Sequence, residues 1–563
     1  MRNTTSVFLA GFFAMFTTFT FGAEPVGRPP SGKQWRLVFS DEFDGSTLDE
    51  SKWSRSRSTM PAFVWNGAQG RLCEDHADID GQGHFVIKVT RDADGTYRYH
   101  HGIQTKGKFQ RAYGYFETRA RFSRQPGWWG AVWLYGVEVG PNPFVMGQEI
   151  DIFEDFVKPK DQLDFAHNVH LDAQLDFAPG GRRASKLDGD TLYRFSRGTK
   201  VLVDDWNAFH VIGVEWTPLE YVFYSDGKET FRLDYTQVPV TTQPMHVLIS
   251  GCFREPRKGS FLGDYADATW PDQLTVDYVR VYEEDLGGRQ KPAVSLLMRR
   301  SAPTVPSGQD VTFEVSAEKA GGTVTSVLLF DNGRIRGEEA SVSATFTIPA
   351  GQLYPGDNVL IAMARDSDGL IGISEPLALL VRGDSGRPST PYQGNPQVIP
   401  GRIVAGHYDE GGQGVAYGSY LKNNLFGRPP WNLKFRPDEG ISSPNASGIG
   451  ASHRGLWVLY TVQVEKTGNY RVTPYIARPD AMQGYSEKPD KILLEVDDRP
   501  LAEFTFSPEL TTGRQYWSSY QPLDSKTVRL TEGRQVLRVR FDATPLNFGG
   551  LEFSAVAVAS PEE

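Results

Sequence analysis

The 563-residue sequence is poor in four features, and these absences argue against several classes of protein. It contains only 2 cysteines, too few for a disulfide-rich scaffold. Positive charge is in deficit, with 59 Lys and Arg against 69 Asp and Glu, which excludes a general binder of nucleic acid or anionic membranes. Long apolar heptads and His/Cys clusters with zinc spacing are also lacking. A neutral ligand or substrate fits this composition best.

One long apolar run is present, from Val7 to Phe21, and it lies between Arg2 and the small residues Gly22 and Ala23. The run is shorter than the about 20 apolar residues that span a membrane, and it has the pattern of a secretory signal peptide. We therefore expect residues 1–23 to be a signal peptide. The mature chain is expected to be secreted, extracellular or periplasmic, monomeric and free of the membrane.

The two cysteines, Cys73 and Cys252, leave two alternatives open. In an oxidising compartment they can form a disulfide, or each can be a separate buried thiol that packs as a small apolar side chain.

Turn-forming and aromatic residues are abundant, with 58 Gly, 36 Pro and 12% aromatics. Alternating apolar patterns predict strands with one buried face at residues 113–121, 209–216, 221–224 and 274–282. No helical pattern of comparable length accompanies them. The fold class is therefore predicted to be all-β, with a β-sandwich as the first domain.

Two stretches rich in Gly, Pro, Ser and charge, near residues 284–292 and 382–398, divide the chain. The predicted domains are 33–284, 293–381 and 399–556. The second has the size of an immunoglobulin-like sandwich, and the sequence Asp331-Asn332-Gly333 predicts a hairpin turn within it. It resembles the bacterial immunoglobulin-like spacers of secreted polysaccharide-degrading enzymes, and no chemistry is assigned to it.

Three carboxylates alternate with large apolar residues in the first domain: Glu149, Asp151 and Glu154. On an ideal strand, Glu149 and Asp151 share one face and Glu154 points to the other. A β-bulge between Asp151 and Glu154 would return Glu154 to the shared face. Two such carboxyls about 5 to 5.5 Å apart are what a retaining glycosidase requires. The alternative is a solvated strand face that happens to be acidic.

The pattern Glu149-x-Asp151-x-x-Glu154 resembles the signature of glycoside hydrolase family 16 in its bulge-containing form. The resemblance covers about 250 residues and includes the segments 39–44, 105–109, 113–117 and 276–282. It implies a curved β-jelly roll with a cleft on its concave face. It also implies that Glu149 is the nucleophile, Asp151 its assistant and Glu154 the acid/base.

The same resemblance suggests substrate-binding residues. Trp129 and Trp133 match a family strand whose indoles stack on sugar rings, with a core tryptophan as the alternative for each, more so for Trp133. His170 matches a histidine beside the catalytic strand, with a purely structural histidine as the alternative and His167 as a competitor. Asn66 matches an asparagine of the cleft loop.

No cofactor is required by this chemistry, and no catalytic metal is expected. A structural calcium ion is frequent in this fold, on the convex side near the first and last strands. Glu42 and Asp277 are the nearest candidate oxygen ligands for it.

The expected activity is hydrolysis of a β-linked polysaccharide by double displacement, with a β-1,3- or β-1,3/1,4-glucan favoured as substrate. An agar, porphyran or carrageenan-type galactan is the alternative, because Arg254, Arg257 and Lys258 can face sulfate esters or simply solvent. A non-catalytic polysaccharide-binding protein and a transglycosylase are further alternatives.

The third domain resembles a family 6 carbohydrate-binding module over about 155 residues. This resemblance implies sugar contacts from Tyr417 or its neighbours, Trp517 and Asn547. The module's two usual glutamates are replaced by Val404 and Gly406, so its structural calcium site is not expected. A purely structural sandwich without sugar binding is the alternative. Trp457 lies in an alternating strand and is predicted to be a core residue.

Overall fold

The computed structural model describes most of the chain. The described residues are 27, 29–30, 32–55, 64–65, 68–136, 148–156, 164–171, 195–253, 268–299, 304–306, 309–349, 352–353, 356–382, 388–412, 415–418, 435–436, 441, 445–452, 456–478, 489–497, 499–507, 510–512, 518–543 and 546–556. They form an all-β protein, as predicted, with short 3-10 helices at Glu74–His76 and Tyr392–Gly394.

The first unit is built from β1 (Trp35–Asp41), β2 (Ser54–Arg55), β3 (Val64–Trp65), β4 (Ala68–Leu72), β5 (Ala77–Ile79), β6 (Phe85–Arg91), β7 (Tyr97–Tyr99), β8 (Gly102–Gln104), β9 (Gly114–Arg121), β10 (Trp128–Tyr135), β11 (Gln148–Phe156), β12 (Asp164–Leu171), β13 (Phe195–Leu202), β14 (His210–Trp216), β15 (Glu220–Ser225), β16 (Lys228–Asp234), β17 (His246–Phe253) and β18 (Asp272–Glu284). All four strands predicted from alternation are present. They correspond to β9, β14, β15 and β18.

In the described part of this unit, the strands form two sheets. One has 11 strands in the order β16-β15-β14-β9-β18-β6-β7-β4-β3, with β1 on β18 and β5 on β6. The other has 7 strands in the order β13-β12-β11-β10-β17-β8-β2. Their facing side chains share one apolar core, to which Phe116 and Ile212 contribute from the first sheet and Val132 and Ile150 from the second.

The second unit contains β19 (Ala293–Met298), β20 (Thr304–Pro306), β21 (Val311–Glu318), β22 (Val324–Asp331), β23 (Arg334–Glu339), β24 (Ser343–Ile348), β25 (Gly356–Asp366), β26 (Ile371–Ile373) and β27 (Leu377–Arg382). They form sheets of three and six strands over their own core. The predicted hairpin joins β22 to β23. Asn332 and Gly333 have φ values of 51° and 76°, as a two-residue type I′ turn requires.

The third unit contains β28 (Gln397–Ile399), β29 (Gly401–Ile403), β30 (Tyr417–Gly418), β31 (Ile449–Ser452), β32 (Trp457–Val464), β33 (Gly468–Ala477), β34 (Asp490–Val496), β35 (Arg499–Phe506), β36 (Gln521–Pro522), β37 (Lys526–Leu530), β38 (Gly533–Asp542) and β39 (Leu546–Ala555). In the described part of this unit, these strands form two six-stranded sheets that enclose a separate core. Trp457 is buried, as predicted.

The first and second units meet through a small apolar cluster of their own. Leu219 of the first unit is buried together with Leu328, Phe330 and Met363 of the second. The ring of Tyr235 lies edge-on to that of Phe330, with 5.9 Å between centroids. Burial of these side chains stabilises the junction, so the second unit is packed against the first along this edge.

Three further expectations concern the signal peptide, the membrane and the cysteines. The segment 1–23, predicted to be a signal peptide, lies outside the described residues. Within the described ranges, no helix is long and apolar enough to cross a membrane. Cys73 is a free thiol, which contradicts the disulfide alternative.

Candidate active site

The acidic segment occupies β11, near the middle of the seven-stranded sheet. β11 pairs with β12 through Asp151↔Asn168 and then Glu154↔Ala166, so three steps on β11 oppose two on β12. This is the predicted β-bulge. Ile152 and Phe153 are consecutive residues that both enter the core. Because the bulge absorbs one residue, Glu154 is free to share the face opposite the core with Glu149 and Asp151.

The carboxylates of this face differ in burial. Glu149 is half-buried, whereas Asp151 and Glu154 are 1% and 5% exposed. Oxygen atoms of Glu149 and Asp151 and a ring nitrogen of His170 all lie within 4.8 Å of one another. The bulge therefore gathers three carboxyls and an imidazole into one cluster, which contradicts the alternative of a solvated acidic face.

Glu154 is held from two sides by N–H donors. The indole Nε1 of Trp129 donates to its Oε1 at 3.0 Å, and the carboxamide Nδ2 of Asn168 donates to its Oε2. Burial raises the pKa of Glu154, while the charge of His170 and the hydrogen bonds from Asn168, Asp151 and Trp129 oppose that rise. A carboxyl of raised pKa that is stabilised in both protonation states is suited to giving and taking a proton.

His170 on β12 makes a diagonal contact with Asp151 on the neighbouring strand β11. The distance from His170 Nε2 to Asp151 Oδ2 is 3.0 Å. Asp151 also hydrogen-bonds Glu154, so it lies between the imidazole and the acid/base candidate. His167, the competing histidine, is fully buried and bonds the backbone carbonyl of Ile152 and the hydroxyl of Thr230. His170 is thus the histidine of the site and His167 is structural.

Trp129 and Trp133 are both half-buried and share the face of β10 that continues the carboxylate face. The core is filled by their neighbours Trp128 and Val132 instead. The Nε1 of Trp133 donates to Ser250 Oγ at 3.0 Å. The indole N–H hydrogen bonds therefore hold both rings in place. Each ring keeps part of its aromatic surface exposed beside the carboxylates, as stacking on a sugar requires.

A fourth acidic residue, Asp155, lies behind the site in the protein interior. Asp155 is fully buried, and its Oδ2 accepts hydrogen bonds of 2.9 Å from both the N–H and the hydroxyl of Ser123. Its Oδ1 accepts the N–H of Gly130 at 2.5 Å. Burial outweighs these donors and raises the pKa of Asp155 to about 6. These bonds tie β11 to β10 and to the loop that follows β9, directly behind Glu154.

The candidate calcium ligands do not form a cation site. Glu42 accepts two hydrogen bonds from Arg280, at 2.9 and 2.7 Å, and Asp277 accepts one from Arg119 at 2.6 Å. Each carboxylate is neutralised by its own guanidinium. Neither belongs to the clusters of possible metal ligands that occur among the described residues. The residues present at this place do not fit calcium.

Other predicted contact residues have different outcomes. Tyr417 is 4% exposed and packs in the core of the third unit with its ring against Tyr408, so its prediction as a sugar contact is wrong. An exposed-loop tyrosine and a core tyrosine look alike in sequence. Asn547 is also buried, at 8% exposure. Asn66, Arg254 and Trp517 lie outside the residues whose side chains the structure describes.

Asn168 and Asp155 are residues of the site that sequence reasoning missed. Asn168 precedes His170 by two positions on β12, and strand periodicity places both on one face. That spacing was the available signal. No comparable signal marks Asp155, because its partners Ser123 and Gly130 come from other strands and loops.

With this geometry in place, comparison with known proteins identifies the first unit. The profile of the β-porphyranase A–D domain of glycoside hydrolase family 16 matches residues 35–284. Residues 35–284 are a family 16 glycoside hydrolase domain. This domain contains all three carboxylates of the cluster. The protein is therefore an endo-β-glycanase, and its substrate is a polysaccharide.

The relatives of the family 16 domain have names that refer to different substrates. The chain is 28% identical over 294 residues to a β-glucanase of Rhodothermus marinus, covering 48% of this chain and 93% of that protein. It is 29% identical over 265 residues to a keratan-sulfate endo-1,4-β-galactosidase of Sphingobacterium multivorum, covering 44% and 55%. The laminarinase catalytic domain of Thermotoga maritima aligns with 23% identity and a TM-score of 0.35, covering 45% of this chain and 100% of that one.

Proposed function

We propose that this protein is a secreted, retaining endo-hydrolase of a sulfated galactan of the porphyran type. Glu149 acts as nucleophile, Asp151 as its assistant and Glu154 as acid/base. The observation that carries the mechanism is the bulge in β11, which brings the three carboxyls to one face. The observation that favours the substrate is the match of the β-porphyranase A–D profile across residues 35–284.

The proposed reaction has two steps. In the first, the Glu149 carboxylate attacks the anomeric carbon while Glu154 donates its proton to the departing glycosidic oxygen, so that a glycosyl ester forms and the C–O bond breaks. In the second, the Glu154 carboxylate takes a proton from water, whose oxygen attacks the anomeric carbon and releases Glu149. Two inversions retain the β configuration. Asp151 hydrogen-bonds Glu154 and lies beside Glu149, so it couples the two residues.

A second class of substrate, the β-glucans, is supported by one of the relatives. The Rhodothermus marinus relative is named a β-glucanase, and the chain covers 93% of it. A β-1,3- or β-1,3/1,4-glucan, which the sequence favoured, is therefore the runner-up. A transglycosylase built on the same cluster would give longer products when an oligosaccharide acceptor is added.

Release of reducing ends from porphyran, agarose, carrageenans, laminarin and lichenan separates these substrates. The proposal expects porphyran to be hydrolysed at least tenfold faster than laminarin, with the Glu149→Ala variant as the inactive control. Fast hydrolysis of laminarin with no release from porphyran would contradict the galactan proposal and favour the glucan. Equal inactivity of the wild-type protein and Glu149→Ala on every glycan would favour a non-catalytic binding protein.

The proposal also covers the N-terminal apolar run and the second and third units. The apolar run from Val7 to Phe21 supports export. The second unit is proposed to be an immunoglobulin-like spacer, and the third a carbohydrate-binding module, in which Trp517 is the aromatic candidate that remains. In an affinity gel containing porphyran, the full chain carrying Glu149→Ala should be retarded, and Trp517→Ala in that background should reduce the retardation. Equal migration of the two proteins would remove Trp517 from the binding site.

A further inference from the structure

Asn168 lies on β12 directly beside the catalytic strand, with Asp151 as its partner in the ladder. Its side chain is half-buried and directs the Nδ2 amide at Oε2 of Glu154. The other oxygen of the same carboxyl accepts the indole N–H of Trp129. Each oxygen of Glu154 therefore receives one N–H donor, and the plane of the carboxyl is fixed by two strands at once.

The next strand explains why an asparagine can occupy this place. Gly198 on β13 is the ladder partner of Asn168. A Cβ atom at Gly198 would lie 1.8 Å from Oδ1 of Asn168 and 2.4 Å from the backbone oxygen of His167. Both distances are far below van der Waals contact, and the backbone oxygen cannot move away cheaply. Gly198 does not belong to the described glycines with positive φ, so here glycine is needed for space and not for backbone conformation.

The two protonation states of Glu154 make different demands on its neighbours. Burial favours the protonated form, which the first step of the proposed reaction uses. That step leaves a buried carboxylate, which must persist until it accepts a proton from water. Hydrogen bonds from amide and indole N–H groups are stronger to the carboxylate than to the neutral acid. These hydrogen bonds therefore offset the energetic cost of the buried negative charge that Glu154 carries after the first step.

We propose that Asn168 is a positioning residue for the acid/base: its carboxamide orients the Glu154 carboxyl and stabilises the carboxylate that the second step requires, and Gly198 provides the room for it. This inference rests on the proposed role of Glu154. Asn168 contacts the acid/base and is assigned no contact with the reacting atoms.

The test is the pH dependence of kcat/KM on whichever polysaccharide the wild-type enzyme hydrolyses fastest, so that it does not depend on the substrate proposal. Asn168→Leu keeps the size of the side chain and removes its donor. The basic limb of the profile reports loss of the proton from Glu154 and should move upward by about one pH unit, since one hydrogen bond to a charged group corresponds to roughly that shift. Turnover should fall as well, because a less acidic Glu154 is a weaker proton donor to the departing oxygen and its carboxyl is no longer oriented by Asn168.

Gly198→Ala should reproduce the upward shift by displacing Asn168. In an Asn168→Ala background it should shift the basic limb no further, because the two changes act through one contact. Gly213→Ala is the matched control. A Cβ there would meet the hydroxyl of Tyr115 at 2.5 Å in the other sheet, so it should lower stability without moving the profile.

The outcomes separate this inference from the proposed function. A folded Asn168→Leu enzyme with the wild-type pH profile would overturn the role of Asn168, as would a Gly213→Ala profile that shifts equally, since the shift would then reflect lost stability. Full activity of Glu154→Gln, measured alongside, would instead refute the proposed acid/base and with it the basis of the inference.

Discussion

Nε2 of His170 lies 3.0 Å from Oδ2 of Asp151, and this contact links the imidazole to the carboxyl cluster of β11. Asp151 in turn hydrogen-bonds Glu154. The histidine therefore acts on the acid/base electrostatically and through Asp151, across two neighbouring strands.

Replacing His170 by leucine should raise the pKa of Glu154, because the charge of His170 lowers that pKa in the wild-type protein. A raised pKa keeps Glu154 protonated to higher pH. The basic limb of kcat/KM should therefore move upward, and maximal turnover should fall as Asp151 loses its partner. A downward shift would show that His170 acts on a different group.

The buried Asp155 should make stability depend on pH in a predictable direction. Its pKa is raised from the ordinary value of 3.8 to about 6, so the folded state holds the proton more tightly than the unfolded state. The contribution of protonated Asp155 to the stability of the folded state is complete below the pKa that Asp155 has in the unfolded chain. This contribution is lost as the pH rises through about 6. The melting temperature of the wild-type protein, minus that of Asp155→Asn, should fall over this interval. A difference that stays constant or grows with pH would contradict the assignment.

The junction between the first and second units should contribute measurably to stability. Phe330 is buried against Leu219 and Tyr235, and removal of a buried phenylalanine side chain costs about 3 to 5 kcal/mol. Phe330→Ala should lower the melting temperature of the second unit in calorimetry. Leu297→Ala is the control, since Leu297 is 60% exposed. Equal effects of the two substitutions would mean that the junction contributes nothing specific.

If the substrate carries sulfate esters, Arg254 is a candidate to recognise them, because a guanidinium binds such groups in a bidentate manner. Arg254→Ala should then reduce kcat/KM on porphyran by at least tenfold and leave hydrolysis of desulfated porphyran nearly unchanged. Added salt should weaken the wild-type activity on the sulfated form. An equal loss on both substrates would place Arg254 in a role unrelated to sulfate.

The sequence predicted those features that depend on local periodicity. The alternation in β9, β14, β15 and β18 and the spacing of the three carboxylates were sufficient for the strands and for the bulge. A strand has a period of two, and only a bulge allows Glu149 and Glu154 to share a face.

Features that depend on distant pairing were not predictable in the same way. The donors to Glu154 come from β10 and β12, and the space beside Asn168 depends on Gly198 from a third strand. Tyr417 was misassigned because its burial is decided by how β30 packs on the third unit's core. The arginines that neutralise Glu42 and Asp277 likewise could not be matched to them before the fold was known.

Chemical rescue of the two glutamate variants tests the central assignment most directly. Both Glu149→Ala and Glu154→Ala should lose activity on polysaccharide by several orders of magnitude, since general acid/base help alone contributes typically 10² to 10⁴-fold. On an activated aryl β-glycoside, azide should rescue Glu154→Ala by attacking the glycosyl-enzyme, and the product should be the β-glycosyl azide. With Glu149→Ala, azide should displace the leaving group directly from the vacated face and give the α-azide. The two anomers in the opposite assignment would show that the roles of Glu149 and Glu154 are exchanged, and full activity of either alanine variant would contradict the mechanism.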